Sequence, residues 1–256
     1  MANNGIDIGE GCVHIIDGSF DGLLTSIFEA HASKRFPSGV YGKDAYQNSL
    51  CETPVLIGTD EAKAARVRNG IFRTLGEQAY DNAWKAYLSC DQDRFTKISR
   101  YITFGFKIGA DINDRLTEPA VFDILAICRL VGRESNKLTG FIRFSVMENN
   151  MQYAEITPEH NQIPMLMQHF TVRLKGIPFV LYDTGRKIAG VYDTREWYIV
   201  DAEGLELPKL SEDEELVRSL WRTFFNTIAI EARVNLKLQR NFMPLRYRRN
   251  MTETNY

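Results

Sequence analysis

The sequence contains no apolar run close to the ~20 residues that a membrane-spanning helix needs. Its apolar stretches are short, and residues 178–182 are typical of them. Residues 1–7 contain neither a cationic region nor an apolar stretch, so we expect no secretory leader. Apolar residues make up 44% and charged residues 25% of the 256 positions, which excludes a disordered, collagen-like or coiled-coil chain. We therefore expect a soluble, cytoplasmic protein with no membrane segment.

Cysteine and histidine are scarce and scattered. The four cysteines, Cys12, Cys51, Cys90 and Cys128, form no C-x-x-C pair, the pattern that zinc ribbons and iron–sulfur sites use. Their spacing is nearly equal, but the flanking residues differ, so we infer no internal repeat. The four histidines are too dispersed for a metal motif. We expect free thiols in a reducing compartment, with no bound metal or cofactor.

The sequence also lacks the short motifs of several enzyme classes. It has no G-x-x-x-x-G-K-[ST] loop for nucleotide phosphates, no G-x-G-x-x-G after a strand, and no H-E-x-x-H pair. The H-x-E…P-C-x-x-C signature of zinc deaminases is missing too. Any catalytic activity would therefore have to use a less familiar set of residues.

Helical patterns dominate the first half of the chain. Alternation predicts a strand at Cys12–Ile16, and apolar residues at helical spacing follow from Phe20. Ser19 is predicted to cap that helix. Residues 33–53 are predicted as a loop before a short buried strand at Pro54–Ile57. Thr59, with two acids after it, predicts a helix start. The further predicted helices run to about Leu88 with a break at Asn69-Gly70, from Asp91 to Ile108, and from Glu118 to Glu134.

Strand patterns dominate from Thr139 onwards. They predict a hairpin of 141–146 with 151–156, a helix at 162–174, and strands at 178–182, 187–192 and 196–200. Ser211 and Glu214 match the capping-box spacing, which predicts a long final helix. Its apolar stripe predicts packing on the core; the stripe comprises Val217, Leu220, Trp221, Phe224, Phe225, Ile228 and Ala232.

Together these patterns predict an α+β protein: a helical N-terminal half, an antiparallel β meander in the second half, and a C-terminal helix packed on the core. We expect residues 1–256 to form a single co-folded domain. A subdivision into 1–138, mainly helical, and 139–256, the meander with the C-terminal helix, is the alternative.

The net charge of −2 hides an uneven distribution. Residues 216–250 contain eight basic side chains and one acid, a local charge of +7 that leaves −9 for the rest of the chain. Such a cluster is typical of phosphate binding, although solvated or ion-paired structural roles are an equally open interpretation. The candidate nucleic-acid-binding residues are Lys63, Arg66, Arg143, Arg233, Lys237, Arg240, Arg246, Arg248 and Arg249.

One short segment carries a candidate catalytic group. Glu159, His160 and Asn161 follow one another in the turn before the predicted helix at 162–174. A carboxylate beside an imidazole can position a proton-transfer group. Asn161 has the alternative role of capping that helix.

Eight groups of segments along nearly the whole chain form a pattern shared with known proteins. They are Asp17–Leu24, Thr59–Ala64 with Arg66-Val67, Gly140–Phe144, Pro158–Asn161 with Pro164, His169-Phe170, Trp221–Phe225, Ile228–Asn235 and Met243–Tyr247. In these segments the chain resembles a bacterial family of proteins associated with DNA metabolism or repair, whose activity is not established. The resemblance implies a neighbouring radical-SAM iron–sulfur protein as a partner. It also implies kinship with a domain fused to uracil-DNA-glycosylase-like proteins, although we expect no such domain after Tyr256.

One departure from the family pattern bears on catalysis. A His-Arg pair is expected before the segment Gly140–Phe144, but this chain has Asn136-Lys137 there. If that histidine is catalytic in relatives, this chain lacks it, which favours a binding role or another catalytic group.

Three functions remain open at this point. The first is a nucleic-acid-binding accessory factor that acts on DNA with a radical-SAM partner. The second is an enzyme acting on a nucleobase, nucleotide or DNA end, with acid–base catalysis by Glu159 and His160. The third is a protein–protein adaptor without nucleic-acid contact. Oligomeric state is not encoded in any pattern of the sequence.

Overall fold

The computed structural model describes residues 11–47, 51–204, 209–228 and 235–251. The chain divides into two compact units, the first extending to Val131 and the second beginning at Gly132. We describe each unit by itself, and the expectation of one co-folded domain stays a prediction. Helices and strands are both abundant and the strands concentrate in the second unit, so the predicted α+β class is confirmed.

The first unit contains a small parallel sheet. Its strands are β1 (Cys12–Ile16), β2 (Gly39–Gly42) and β3 (Thr53–Leu56). β1 lies between the other two and is parallel to both, with Val13 opposite Gly39 on one side and Pro54 on the other. The prediction that 33–53 is only a loop is wrong at β2, whose four residues include two glycines and so have little strand character of their own. The predicted burial of the strand at 54–57 is also wrong, because all four residues of β3 are exposed.

Along the chain, helices follow β1 and β3. They are α1 (Phe20–Ser33), α2 (Glu61–Thr74), α3 (Glu77–Tyr87), α4 (Arg94–Ile108), a 3₁₀ turn (Ala110–Asp114) and α5 (Pro119–Phe141), which continues into the second unit. The core of the first unit contains fully buried side chains, such as those of Ile16, Leu24 and Ile98. The predicted break at Asn69-Gly70 is wrong, because α2 continues through it and ends before Gly76, where φ is +89°.

Helix caps explain where α1 and α2 begin. The Ser19 hydroxyl accepts from the Gly22 N–H across 2.9 Å, as its position predicts. At α2 the cap is Asp60, whose carboxylate accepts from the Lys63 N–H across 3.0 Å. The predicted cap, Thr59, instead donates its hydroxyl to Asp17 across 2.7 Å. Because the Thr59 hydroxyl is bound to the distant Asp17 carboxylate, it does not cap α2, and Asp60 is the cap instead.

The second unit is built on a five-stranded sheet. Its strands, in spatial as well as chain order, are β4 (Ser145–Val146), β5 (Gln152–Ile156), β6 (Phe179–Asp183), β7 (Ile188–Tyr192) and β8 (Trp197–Asp201). The run β6–β7–β8 is the predicted antiparallel meander. β5 departs from it, since it pairs with β6 in parallel, with α6 (Ile163–Arg173) between them in the chain.

The core of this unit lies between α6 and the sheet. Leu166, Met167 and Phe170 of α6 are buried with Phe179 and Leu181 of β6. β7 passes so close to α6 that a Cβ on Gly190 would lie 2.4 Å from the Met167 sulfur. This close approach requires glycine at that position.

The predicted hairpin of 141–146 with 151–156 is shorter than expected. Phe141 is the last residue of α5, so within 141–146 only the two residues of β4 pair with β5. An alternating apolar pattern in a short segment fits a helix end as well as a strand, and the preceding helix continues into it.

The C-terminal helices are α7 (Glu212–Ile228), α8 (Leu236–Phe242) and α9 (Leu245–Arg248). At α7 the Ser211 hydroxyl accepts from the Glu214 N–H across 3.2 Å, as the capping box predicts. The Glu214 carboxylate does not return to Ser211; it accepts from the Val146 N–H of β4 at 3.1 Å and from Arg218 at 3.1 Å. These polar contacts fix the start of α7.

The predicted packing of the α7 stripe on the core is wrong for the side chains that the structure describes. Val217, Leu220, Trp221 and Phe224 are between 41% and 59% exposed. The helical spacing is present, but the stripe faces outwards within the second unit. Phe225 and Ile228 have no described side chain, and Ala232 lies outside the described residues.

None of the helices in the described ranges has the length and apolar character needed to cross a membrane.

Candidate functional site

A buried carboxylate, Glu134, organises the second unit. It lies on α5 and is only 5% exposed. Its Oε1 accepts from the Glu159 N–H at 2.8 Å and from the Tyr247 hydroxyl at 2.6 Å. Its Oε2 accepts from the His160 N–H at 2.8 Å and from the Gln162 amide at 3.3 Å. One side chain thus joins α5, the loop before α6 and α9.

The electrostatics of Glu134 follow from this environment. Burial alone would raise the pKa of Glu134, but hydrogen bonds from the Glu159 N–H, the Tyr247 hydroxyl and the His160 N–H outweigh burial and lower the pKa. Burial, together with the hydrogen bond to the Glu134 carboxylate and its charge, raises the pKa of Tyr247 above its ordinary range. The pair therefore holds a proton on the phenol and a negative charge on the carboxylate.

Arg246 forms the exposed edge of this cluster. Its guanidinium donates to the Glu159 carboxylate at 2.6 Å and lies 4.0 Å from Glu134. It also stacks over the ring of Tyr247, 5.1 Å from the centroid. The Arg246 side chain is 44% exposed and that of Glu159 is 49% exposed, so this ion pair is accessible to solvent and to a competing anion.

The loop that carries Glu159 and His160 is held from its other side by β6 and the following turn. Asp183 is fully buried and pairs with Arg186 at 3.0 Å. Arg186 in turn donates to the backbone carbonyl oxygens of Pro158 and Glu159. Backbone groups of the loop are therefore fixed by Glu134 on one side and Arg186 on the other.

The three predicted catalytic residues have different environments. Glu159 is exposed and paired with Arg246, whereas His160 is 8% exposed. The Asn161 Oδ1 atom is buried without a hydrogen-bond partner among the described residues. The residue at the cap position of α6 is Gln162, not Asn161. Of the trio, only the Glu159 carboxylate combines a titratable group with solvent access, and it is engaged by a cation.

The described part of the C-terminal region, residues 235–251, is named here the basic segment. It contains no acidic residue. Its cations are Lys237, Arg240, Arg246, Arg248 and Arg249. Lys237 and Arg240 are exposed on α8, and neither has an ion-pair partner within the described ranges. The Arg248 guanidinium donates to the Met243 carbonyl at 3.2 Å. Arg233 lies outside the described residues.

Arg143 follows the end of α5 by two residues. Its guanidinium donates to the carbonyl oxygens of Gly140 at 2.9 Å and Ile142 at 3.2 Å. It borders an open groove of about 450 Å³ between the end of α5 and α7, where Phe144, Val217 and Trp221 form the apolar part of the lining.

Lys63 and Arg66 belong to the first unit. Lys63 pairs with Glu29 at 2.7 Å, while the Arg66 guanidinium lies over the Phe28 ring at 5.0 Å. Within the second unit, the structure brings together Glu159, His160 and Arg246 from the predicted set.

Sequence reasoning missed three residues of this cluster: Glu134, Tyr247 and Arg186. Glu134 stands at the predicted end of a helix, where an acid is ordinarily solvated. The partners of Glu134 lie 25 to 113 positions away, so no local signal marks it. Across the described residues, no group of three or more His, Cys, Asp or Glu side chains could hold a metal ion.

Comparison with known proteins places most of this architecture in one family. Residues 92–253 match a family model described as a domain of unknown function (DUF4130). The match extends from the residues just before α4 to the end of the described chain, so it includes the Glu134 cluster and the basic segment. No curated protein matches the chain.

Proposed function

The chain belongs to the family described as a domain of unknown function (DUF4130), and we propose that it is a nucleic-acid-binding accessory factor of DNA metabolism or repair. In this proposal it acts with a radical-SAM iron–sulfur protein. Binding uses the basic segment, and the partner uses the outward face of α7.

The observation that carries the nucleic-acid part is the unbalanced charge of the basic segment. Five cations stand in seventeen residues without an acid. A structural role for such cations ordinarily involves carboxylate partners or helix C-termini. Lys237 lies in the first turn of α8, where a cation is disfavoured by the helix dipole. An external polyanion explains this position better than the helix does.

Aromatic exposure in the same segment fits contact with bases. Phe242 of α8 is 68% exposed, two positions after Arg240. Exposed aromatic rings beside arginines provide stacking surfaces for unpaired bases. The proposal therefore favours single-stranded over double-stranded DNA.

The charge count sets an expected salt dependence. Arg246 is engaged by Glu159, which leaves four cations of the basic segment for phosphates. If all four contact phosphates, the logarithm of the association constant falls with the logarithm of salt concentration with a slope of about −2.8 for single strands. For duplex DNA the corresponding slope is about −3.6.

The experiment measures fluorescence anisotropy of labelled single- and double-stranded DNA with the full chain over a series of salt concentrations. Lys237→Gln with Arg240→Gln should weaken binding by about tenfold and reduce the slope by about 1.4 on single strands. The matched control is Arg115→Gln with Arg129→Gln, which removes two exposed cations of the first unit. Absence of binding at low salt, or equal loss in both double variants, would overturn the nucleic-acid proposal.

The outward stripe of α7 supports the partner part of the proposal. Exposed apolar side chains collected on one helix face are typical of protein–protein contact surfaces. Together with the family resemblance, this face favours the radical-SAM protein as its occupant. An adaptor that never contacts nucleic acid is the second candidate, since the same face would serve it.

Co-purification distinguishes the two candidates. The radical-SAM protein should be retained by the wild-type chain after nuclease treatment and lost with Trp221→Ser and Phe224→Ser. Those substitutions should leave DNA affinity unchanged. Retention of the partner by the double variant would overturn the assignment of α7 as the contact surface. If the wild-type chain retains the partner but binds no DNA, the adaptor function is the one supported.

The enzyme hypothesis stays a prediction. Glu159 is neutralised by Arg246 and His160 is buried, so no observation favours acid–base catalysis over a structural role for this loop.

A further inference from the structure

The first unit contains a surface pocket that none of the functions above uses. It has a volume of about 470 Å³ and lies among α1, α2 and α4. Its principal lining residues are Phe28, His31, Arg66, Asn69, Arg73 and Phe106. The volume falls in the range of ~300–1,000 Å³ that is typical of small-molecule sites.

The pocket has aromatic walls. Phe28 of α1 and Phe106 of α4 both line it. His31 meets the edge of Phe106, with ring centroids 5.6 Å apart. Gly70 of α2 borders the same ring, since a Cβ there would be in ordinary contact with Phe106 at 3.5 Å. The Arg66 guanidinium covers the Phe28 ring, 5.0 Å from its centroid, so Phe106 is the wall that a planar ligand ring would contact.

The cations of α2 differ in whether they have a carboxylate partner, and this difference matches their position inside or outside the pocket lining. Lys63 and Arg68 lie outside its lining, and both are paired: Lys63 with Glu29 and Asp60, and Arg68 with Asp21. Arg66 and Arg73 lie in its lining, and neither has a carboxylate partner in the part of the chain that the structure describes.

This division leaves positive charge concentrated at the pocket. Both acids of α1 are already paired, Glu29 with Lys63 and Asp21 with Arg68. Lys107 of α4 adds a further positive charge, which, after burial, helps to lower the pKa of His31. The pocket thus offers two guanidinium groups and a neutral imidazole, with no facing carboxylate left to neutralise them among the described residues.

Two guanidinium groups are suited to a phosphate, because each presents paired N–H donors in a planar fork. An aromatic wall beside them is suited to a nucleobase. We propose that this pocket binds a nucleoside phosphate monoester, with the phosphate on Arg66 and Arg73 and the base against Phe106.

Such a monoester has two sources: a free nucleotide or the phosphorylated end of a nucleic-acid strand. The proposed site shares no residue with the basic segment. It can therefore be confirmed or overturned independently of the proposed function.

The test is calorimetric titration of the full chain with dAMP, deoxyadenosine and inorganic phosphate. Binding of dAMP should be at least about tenfold tighter than that of either fragment, because only dAMP engages both the guanidinium groups and the aromatic wall. Equal binding of deoxyadenosine and dAMP, or no binding of dAMP, would overturn the proposal.

A pair of variants locates the site. Arg66→Gln with Arg73→Gln should weaken dAMP binding by at least about tenfold. Arg115→Gln with Arg129→Gln should leave it unchanged, as should Lys237→Gln with Arg240→Gln. If the Arg66/Arg73 variant binds dAMP as the wild type does, the pocket is not the site. Both arginines are exposed, so thermal unfolding of this variant should match the wild type.

A short oligonucleotide with and without a 5′-phosphate separates the two sources. Preference for the phosphorylated strand that is lost in the Arg66/Arg73 variant identifies strand ends as the ligand. Binding of dAMP without such a preference identifies the free nucleotide. Either result supports the pocket as a nucleotide site. If Lys237→Gln with Arg240→Gln binds DNA as the wild type does, only the proposed function is overturned, because those residues are not part of the pocket.

Discussion

The Tyr247 hydroxyl donates to the Glu134 carboxylate across 2.6 Å, although the two residues are 113 positions apart in the sequence. This bond attaches α9 to α5, and through the other acceptor sites of Glu134 it reaches the loop before α6. The second unit is therefore closed around one carboxylate, and its stability should depend on each donor to that group.

Removing the phenol hydroxyl is the most direct test of this closure. Tyr247→Phe leaves a buried, charged carboxylate short of one donor, so we expect a loss of about 1–3 kcal/mol in the free energy of unfolding. Urea denaturation measures it. The matched control is Tyr198→Phe, at a ring that is 48% exposed. Equal stability of the two variants would contradict a role for this hydrogen bond.

The pH dependence of stability should carry the signature of Glu134. Its pKa is lowered in the folded state from an ordinary value of 4.5, so the folded state favours the carboxylate. This stabilisation is fully present above pH 4.5 and is lost as the pH falls through the folded-state pKa. Denaturation at a series of acidic pH values should show a shallower acid decline for Glu134→Gln than for the wild type. An unchanged decline would contradict the assignment.

His160 distinguishes a structural from a catalytic loop. Because the side chain is 8% exposed, His160→Ala leaves a cavity, and we expect a loss of about 1–3 kcal/mol in the free energy of unfolding. His169, which is exposed on α6, provides the control. A melting temperature equal to that of His169→Ala would instead favour the catalytic hypothesis for His160.

The Glu159–Arg246 pair should affect affinity more than stability. Both side chains are about half exposed, so the pair contributes no more than about 0.2–1 kcal/mol to folding. Glu159→Gln frees Arg246 for phosphate. We therefore expect severalfold tighter DNA binding and a salt slope steeper by about 0.7 on single strands. A fall in affinity would show that Glu159 itself contributes to binding.

The sequence predicted correctly those features that depend on residues close together in the chain. The Ser19 cap, the Ser211 contribution to the start of α7 and the meander β6–β8 all depend on neighbours within a few positions, and the structure confirms them. The α+β class followed from the same patterns. The sequence could therefore locate most elements without knowledge of their packing.

Long-range competition accounts for what the patterns missed. Thr59 has the right chemistry for a cap, but Asp17, 42 positions earlier, takes its hydroxyl. Glu134 looked like an ordinary helix-end acid because its donors arrive from distant segments. The apolar stripe on α7 has the spacing of a core-facing helix. That spacing does not distinguish a stripe that packs on its own unit from one that contacts another protein surface.

The parallel pairing of β5 with β6 constrains the order in which the second unit can assemble. Antiparallel neighbours β6, β7 and β8 need only short turns, whereas β5 can reach β6 only after the chain has passed through α6. Closing the shorter loops costs less entropy. The meander should therefore nucleate folding, and β5 should dock last. Substitutions in the meander would then slow refolding, while those in β5 would mainly accelerate unfolding.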